Sequence, residues 1–252
     1  MIVPFRSQPP STVFYPESDG KPMAENTKQA ECIVTIMGNL DLQYRDDPDV
    51  FVAMDNFIYP VEGDNTIVTA PDVYVAFGRP KGHRGSYQVW VEGDIFPQVI
   101  FEILSPSNTR QEMLDKREFY FRYGAEEFYI YNPDKNKLEG YTRARRGVTQ
   151  VKDWTPFVSP RLGIRFERVG SDLHIYGANG QRFLTFIELG KQAIEAAERA
   201  KQSDKRAMQA DKRAEREADH AAQADKRADD VETRLERLRA KMLAAGLDPD
   251  GE

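Results

Sequence analysis

The sequence predicts an α/β domain that carries a long helical tail, and three observations lead there. The middle of the chain is rich in β-forming runs and contains the step strand (98–104), helix (109–123), strand (127–131). Two strands joined across a helix in this way should run parallel. A helical periodicity precedes this region between Asn26 and Tyr44. From Glu188 to Ala245 the composition narrows to mostly Ala, Glu, Lys, Arg, Asp and Gln, without proline, and the tetrapeptide DKRA starts at Asp204, Asp211 and Asp225.

In chain order, residues 1–24 are rich in Pro, Ser and Gly (SQPPST, YPESDGKP) and read as an extended arm. Ala30, Ile33, Val34, Ile36, Met37, Leu40 and Leu42 recur at helical spacing, with Asn26 or Thr27 as cap. Val50–Met54 and Phe57–Tyr59, separated by Asp55-Asn56, give a hairpin signal. Val73–Phe77, Tyr87–Val91, Gln98–Leu104, Glu127–Tyr131 and Leu138–Arg143 favour strands. The helix over 109–123 meets Gly124 where a C-cap glycine belongs. A last β-rich stretch, 161–186, has turns at Val169-Gly170-Ser171 and Asn179-Gly180.

The tail follows a heptad frame. Ala207, Ala214, Ala221, Ala228, Leu235 and Met242 share one position, and Ala210, Glu217, Ala224, Val231, Leu238 and Ala245 share the position three further on. This seam predicts a coiled coil of about 85 Å, weak along its alanines and anchored by Leu235, Leu238 and Met242. The alternative is a single exposed helix of alternating charge. The expected organisation is an arm (1–24), an α/β domain (25–187), a helical tail (188–246) that forms a homo-oligomer with a dimer favoured, and a disordered end (247–252).

Composition narrows the function. A net charge of −6 argues against a protein that coats DNA by charge alone. From Lys191 onward there are 14 basic and 15 acidic residues, which leaves 21 and 26 in residues 1–190, a net of −5 for the head. Any nucleic-acid contact must therefore come from a local patch or be helped by a cation. No apolar run approaches the roughly 20 residues that span a bilayer, so no membrane partner is expected. The N-terminus lacks the apolar core of a secretory signal. The single Cys32 excludes an internal disulfide, in keeping with a cytoplasmic protein. Three scattered histidines make a zinc site a poor expectation, so a metal would be held by oxygen.

The stretch QVIFEILSPSNTRQEMLDK, 98–116, places Glu102 in the middle of an apolar strand. A buried carboxylate must be paired, hydrogen-bonded or metal-bound. TAPDVYVAF, 69–77, supplies a second acid at a strand mouth, because Pro71 cannot continue a paired strand and Asp72 follows it. Two carboxylates converging in a dry site repel unless a proton or cation stands between them, and Mg²⁺ or Mn²⁺ prefers such ligands. Lys116, one turn after Glu112, is placed to orient a water or stabilise charge on a phosphate. Each residue also has a structural alternative: Glu102 paired with a buried arginine, Asp72 as a turn residue, Lys116 in a surface pair with Glu112.

PDVYVAF followed by FEILSPSNTRQEMLDKREFYFRYGAEEFYIYNPD resembles the Uma-two family of restriction-endonuclease-like bacterial proteins, over roughly residues 14–190. YPESDGKPMAENT and DVFVAMDNFIYP resemble one branch of it. The resemblance implies the restriction-endonuclease-like fold of the PD-(D/E)xK superfamily, a mixed central β-sheet flanked by helices, and Mg²⁺-dependent (or Mn²⁺-dependent) hydrolysis of phosphodiesters. By position Asp72 matches the first acid, Glu102 the second, and Lys116 a lysine moved to the helix, since Leu104 stands where the motif's lysine is usual. Glu112 replaces the family's helix aspartate, and Asn132 its DP aspartate, which reads as a turn residue.

The expected mechanism has Asp72 and Glu102 holding metal that activates a water, with Lys116 assisting and nucleic acid, DNA first, as substrate. Glu25 is an accessory expectation from the first helix, and Glu112 another. The basic runs RPKGHR (Arg79, Lys81, Arg84) and RARR (Arg143, Arg145, Arg146) are expected on the phosphate backbone, unless they are ordinary loop charges. The rival expectation is a catalytically silent nuclease-fold protein whose tail oligomerises it or docks a partner.

Overall fold

The structure is a computed structural model that describes residues 13–18, 20, 23–169 and 172–246. The chain divides into two compact units, Met1–Leu189 and Gly190–Glu252. The elements are α1 (Thr27–Gln43), β1 (Val50–Ala53), β2 (Ile58–Tyr59), β3 (Val73–Phe77), β4 (Tyr87–Gln88), β5 (Val99–Ile103), α2 (Arg110–Tyr123), β6 (Glu127–Asn132), β7 (Lys137–Ala144), β8 (Gly147–Gln150), β9 (Phe157–Val158), β10 (Arg165–Val169), β11 (Asp172–Tyr176) and α3 (Phe186–Ala244).

Six strands form a mixed central sheet in the order β1-β3-β5-β6-β7-β8. Its parallel pair is β5–β6, the pair joined by α2, and its other neighbours are antiparallel. Strands β3 and β5 are buried on both faces, which is why their sequences are largely apolar runs. One face packs on Ile33, Ile36 and Leu40 of α1 and on the small sheet β11-β10-β9 through Leu162, Ile164 and Phe166. The other packs on Met113, Tyr120 and Phe121 of α2 and on Ile58 and Tyr87 from the pair β2–β4. The result is an α/β sandwich with the sheet in the middle.

Helix ends follow local chemistry. The Asn26 side chain accepts from Gln29 N–H and opens α1. Thr109 and Glu112 form a reciprocal capping box on α2, and Gly124, at φ 133°, closes that helix. The described part of the arm lies on the domain: Tyr15 packs against Tyr59 and Trp90, and Tyr59 donates to the Pro16 carbonyl at 2.7 Å. Residues 1–12 and the expected disordered end, 247–252, fall outside the described residues.

Two expectations are corrected. β1 and β2 are not a hairpin: β1 pairs with β3, and β2 pairs in parallel with β4. Asp55 sits at φ 47° and gives its N–H to the Pro71 carbonyl, while Asn56 bonds Tyr74 and Gly85, so the dipeptide is a corner between sheets. The strand expected over Tyr87–Val91 stops at Gln88. There the chain coils so that Glu92 is buried against Arg84, with Gly93 and Asp94 at positive φ. Strands β8 and β9 carried no clear pattern, β8 being exposed throughout.

α3 is one 59-residue helix in which no residue is buried. No helix among the described residues is long and apolar enough to cross a membrane.

Candidate functional site

The register of the central sheet builds the site. Val73 stands opposite Phe101, Tyr74 opposite Ile100 and Val75 opposite Val99, so one step further Asp72 stands opposite Glu102. Side chains alternate across a strand, which turns Glu102 to the same face as Ile100, the face covered by α2. The turn formed by Ser105-Pro106-Ser107-Asn108 then returns the chain into α2 with its inner stripe above Glu102.

Glu102 is 3% exposed. Lys116 donates to its Oε2 at 2.8 Å, and the Tyr120 hydroxyl donates to its Oε1 at 2.5 Å. Tyr120 is itself fully buried and lies 3.0 Å from the Thr69 hydroxyl. Asp72 Oδ2 accepts from the Ile103 N–H at 2.6 Å, which ties the acid to the end of the Glu102 strand. Burial and the Glu102 charge push the Asp72 carboxyl up to about 7, against the Ile103 bond and Lys116, which pull it down. Burial draws the Lys116 ammonium down, yet the Glu102 charge and hydrogen bond, with Asp72 and Glu112, leave it above the ordinary lysine range. The Tyr120 hydroxyl is pushed well up by burial and by Glu102.

The structure shows which partners these residues have. The partners of Glu102 are a lysine and a tyrosine, and Lys116 reaches inward to it while keeping Glu112 at 4.0 Å. Glu112 is engaged in the capping box and accepts from Asn108 at 3.2 Å. Glu25 lies just before α1 and is exposed. It accepts from the Ser107 hydroxyl in the turn after β5, and the Ser107 and Ser105 hydroxyls lower its pKa. The Asn132 side chain accepts from Lys135 N–H at 2.9 Å, a turn contact.

Tyr120 and Gln29 were missed. Tyr120 follows Lys116 by four residues, and this i, i+4 spacing was the available signal for one helix face. Gln29 donates to the Ile103 carbonyl at 2.8 Å and accepts from Glu25 N–H at 2.9 Å, joining α1 to the same strand end. Nothing local marks it.

The basic runs lie at the other end of the sheet. β3 runs antiparallel to β5, so Arg79, Lys81 and Arg84 follow the end of β3 that neighbours the start of β5. β7 runs antiparallel to β6, so Arg143, Arg145 and Arg146 likewise lie at the end remote from Asp72 and Glu102. Arg84 is committed to Glu92 at 2.6 Å and stacks over Phe51. Arg143 donates to the Ala125 and Phe121 carbonyls behind the C-terminus of α2. Lys81 lies 3.4 Å from Asp41.

Two carboxylates face one another here, with the pKa of one raised by the other, and this charge excess suits a hard cation. Among the described residues no group of three or more His, Cys, Asp or Glu could hold a metal. Mg²⁺ fits such a sparse set, because it keeps several waters and takes one or two carboxylates plus substrate oxygens. Each Glu102 oxygen has one hydrogen-bond donor, and a carboxylate oxygen has two lone pairs, so acceptor capacity remains.

The fold is thus a mixed α/β sheet with a helix on each face, and two acids and a lysine meet at one end of it. The Uma2 family, described as "Putative restriction endonuclease", matches residues 15–167. The chain belongs to that family, and the helical tail lies wholly outside the match. Among solved structures it is similar to the "crystal structure of a putative nuclease belonging to DUF820 from Anabaena variabilis", at 13% identity and a TM-score of 0.42, over 56% of this chain and 74% of that one. No curated protein matches the chain.

Proposed function

We propose that the protein is a divalent-metal-dependent endonuclease that hydrolyses phosphodiester bonds of nucleic acid, DNA in the first instance, at the β3–β5 end of the sheet. The observation that carries this reading is the opposition of Asp72 and Glu102 beneath Lys116. Asp72 and Glu102 would hold Mg²⁺ or Mn²⁺. Such an ion supplies neutralisation of phosphate charge and a more acidic water.

The chain's own residues do the rest. Tyr120 fixes one oxygen of Glu102, and the Ile103 N–H fixes one oxygen of Asp72, so both acids are oriented before substrate arrives. Lys116, about a quarter exposed, has two further N–H donors to turn toward a water or a phosphate oxygen. The acidic head repels a polyanion at long range, which makes cation binding a condition of substrate approach. Cytoplasmic location and association of two copies through residues 188–246 belong to the same proposal.

A second reading rests on one observation. Lys116 and Tyr120 already satisfy both oxygens of Glu102, as in a silent site whose acid is kept as a structural pair. Calorimetry with Mg²⁺ and Mn²⁺ on wild type, Asp72→Ala and Glu102→Ala, followed by plasmid nicking on the same samples, separates the two. Binding and nicking lost in both variants supports the enzyme. Absence of binding in wild type removes the catalytic reading and leaves the silent fold.

A further inference from the structure

The tail exposes every residue from Gly190 to Gly246, including Val231, Leu235, Leu238 and Met242, spaced by four, three and four. A lone helix has no reason to keep these four on one stripe. A straight α-helix drifts about 20° per heptad away from a seven-residue seam, so the seam persists only if helices supercoil around one another.

Charge on the two flanks of the seam carries the inference further. With Ala207 at heptad position a, the g positions hold Arg199, Arg206, Arg213, His220, Arg227, Arg234 and Lys241, with no acid among them. The e positions from 204 onward hold Asp204, Asp211, Ala218, Asp225, Glu232 and Arg239. One flank is basic and the other mainly acidic. Antiparallel helices set g against g and e against e, so an antiparallel pair of this chain would line arginine against arginine and aspartate against aspartate. Parallel helices in register set each g against the e five residues on in the other copy. Arg199 then meets Asp204, Arg206 meets Asp211, His220 meets Asp225 and Arg227 meets Glu232. Arg213 meets the neutral Ala218, and the single like-charge meeting is Arg234 with Arg239, beside the strongest apolar anchors. The pair of Arg199 with Glu195 within one helix, at 3.8 Å, is exposed on both sides and does not compete strongly.

We infer that α3 pairs with the α3 of a second copy of this chain as a parallel, in-register two-stranded coiled coil, its direction selected by the basic g and acidic e flanks. This rests on the association of two copies proposed above and adds its direction. It does not depend on the nuclease reading. Because each helix begins where its α/β unit ends, the two α/β units enter such a pair from the same end.

The test uses the full chain with Cys32→Ser, so that an introduced cysteine is the only one. Ala210→Cys and Ala224→Cys, both at d, and Lys212→Cys, at f, are made separately, and each is weighed by sedimentation equilibrium and then oxidised. The expected result is a dimer mass, with both d variants cross-linking to themselves and the f variant not. A dimer in which at most one d variant cross-links keeps the association and overturns the direction, because an antiparallel pair brings no more than one of these positions to its axis. A monomer mass overturns the association itself, and a trimer or larger overturns the two-stranded arrangement. Reversing the flank with Asp204→Lys, Asp211→Lys, Asp225→Lys and Glu232→Lys together should raise the dissociation constant at low salt by at least about tenfold. An unchanged constant would show that the flanks do not select the direction.

Discussion

Glu102 and Glu127 stand on neighbouring parallel strands, and both are buried, at 3% and 2% exposure. Their surroundings differ. Glu127 lies at the start of β6, beside Val99, and shares the α1 face with Tyr129, at the opposite end and on the opposite face of the sheet from Glu102. Its donors are the hydroxyls of Ser159 and Tyr129 and the N–H of Arg161, all neutral, and they fasten the segment before β10 to the sheet. Glu102 has a cation and a tyrosine as donors and a second acid across the strand pair. A buried carboxylate is therefore no mark of a reactive site by itself. Glu127 is a latch closed by neutral donors, whereas Glu102 belongs to an uneven group of charges reached by a partly exposed lysine.

Several substitutions sharpen or break this contrast. Glu102→Ala and Asp72→Ala are expected to lower metal-dependent plasmid nicking by on the order of 10³-fold or more, as loss of a group that touches the reacting centre does. Glu127→Ala, where it folds, should leave Mg²⁺ binding by calorimetry unchanged while costing on the order of 3 kcal/mol in urea unfolding, since three donors lose their acceptor. Equal loss of metal binding in the Glu127 variant would erase the distinction between the two ends.

The amide variants should move stability in opposite directions. Glu127→Gln turns an NH₂ toward donors and destabilises. Asp72→Asn keeps an acceptor for the Ile103 N–H and removes a charge that the fold opposes. The sign follows from the raised pKa. Near pH 3.8 the folded Asp72 is protonated and wild type and variant are alike. Between pH 3.8 and about 7 the unfolded chain gives up the Asp72 proton while the fold keeps it, so wild type loses stability relative to the variant over that window, and above about 7 the loss is complete and constant. Metal-free thermal unfolding at pH 8 should favour Asp72→Asn by on the order of 2 kcal/mol, and Mg²⁺ should stabilise wild type alone.

Tyr120→Phe should weaken Mg²⁺ binding by roughly 10- to 100-fold, because Tyr120 only orients a ligand, with about 1 kcal/mol lost from the fold. Arg145→Glu with Arg146→Glu should change stability by less than about 0.5 kcal/mol and leave nicking at its wild-type rate, because both residues lie at the Glu127 end. A marked drop in nicking would return the RARR run to the substrate path.

The parts legible in the sequence are those governed by near neighbours. Asn26, Thr109 and Gly124 mark helix ends because capping is satisfied within three or four residues. The β5–α2–β6 step was readable because an apolar run, a capped amphipathic run and another apolar run admit few arrangements. The β1–β2 hairpin failed for the converse reason. Its dipeptide resembles a tight turn, but the hydrogen bonds of Asp55 and Asn56 go to Pro71, Tyr74 and Gly85, residues from later in the chain.

The sequence by itself determined that Glu102 had to have a partner, that Asp72 opens a buried strand after a proline, and that Lys116 lies on the helix that follows. Burial and helical spacing are properties of a few adjacent residues. Only the tertiary structure decided that Asp72 faces Glu102, that Tyr120 and Gln29 serve the same strand end, that Glu127 is closed off with Ser159 and Arg161, and that the basic loops lie at the far end of the sheet. Those outcomes depend on strand register, which is set by packing and hydrogen bonding between segments such as Asp72 and Ile103, 31 residues apart.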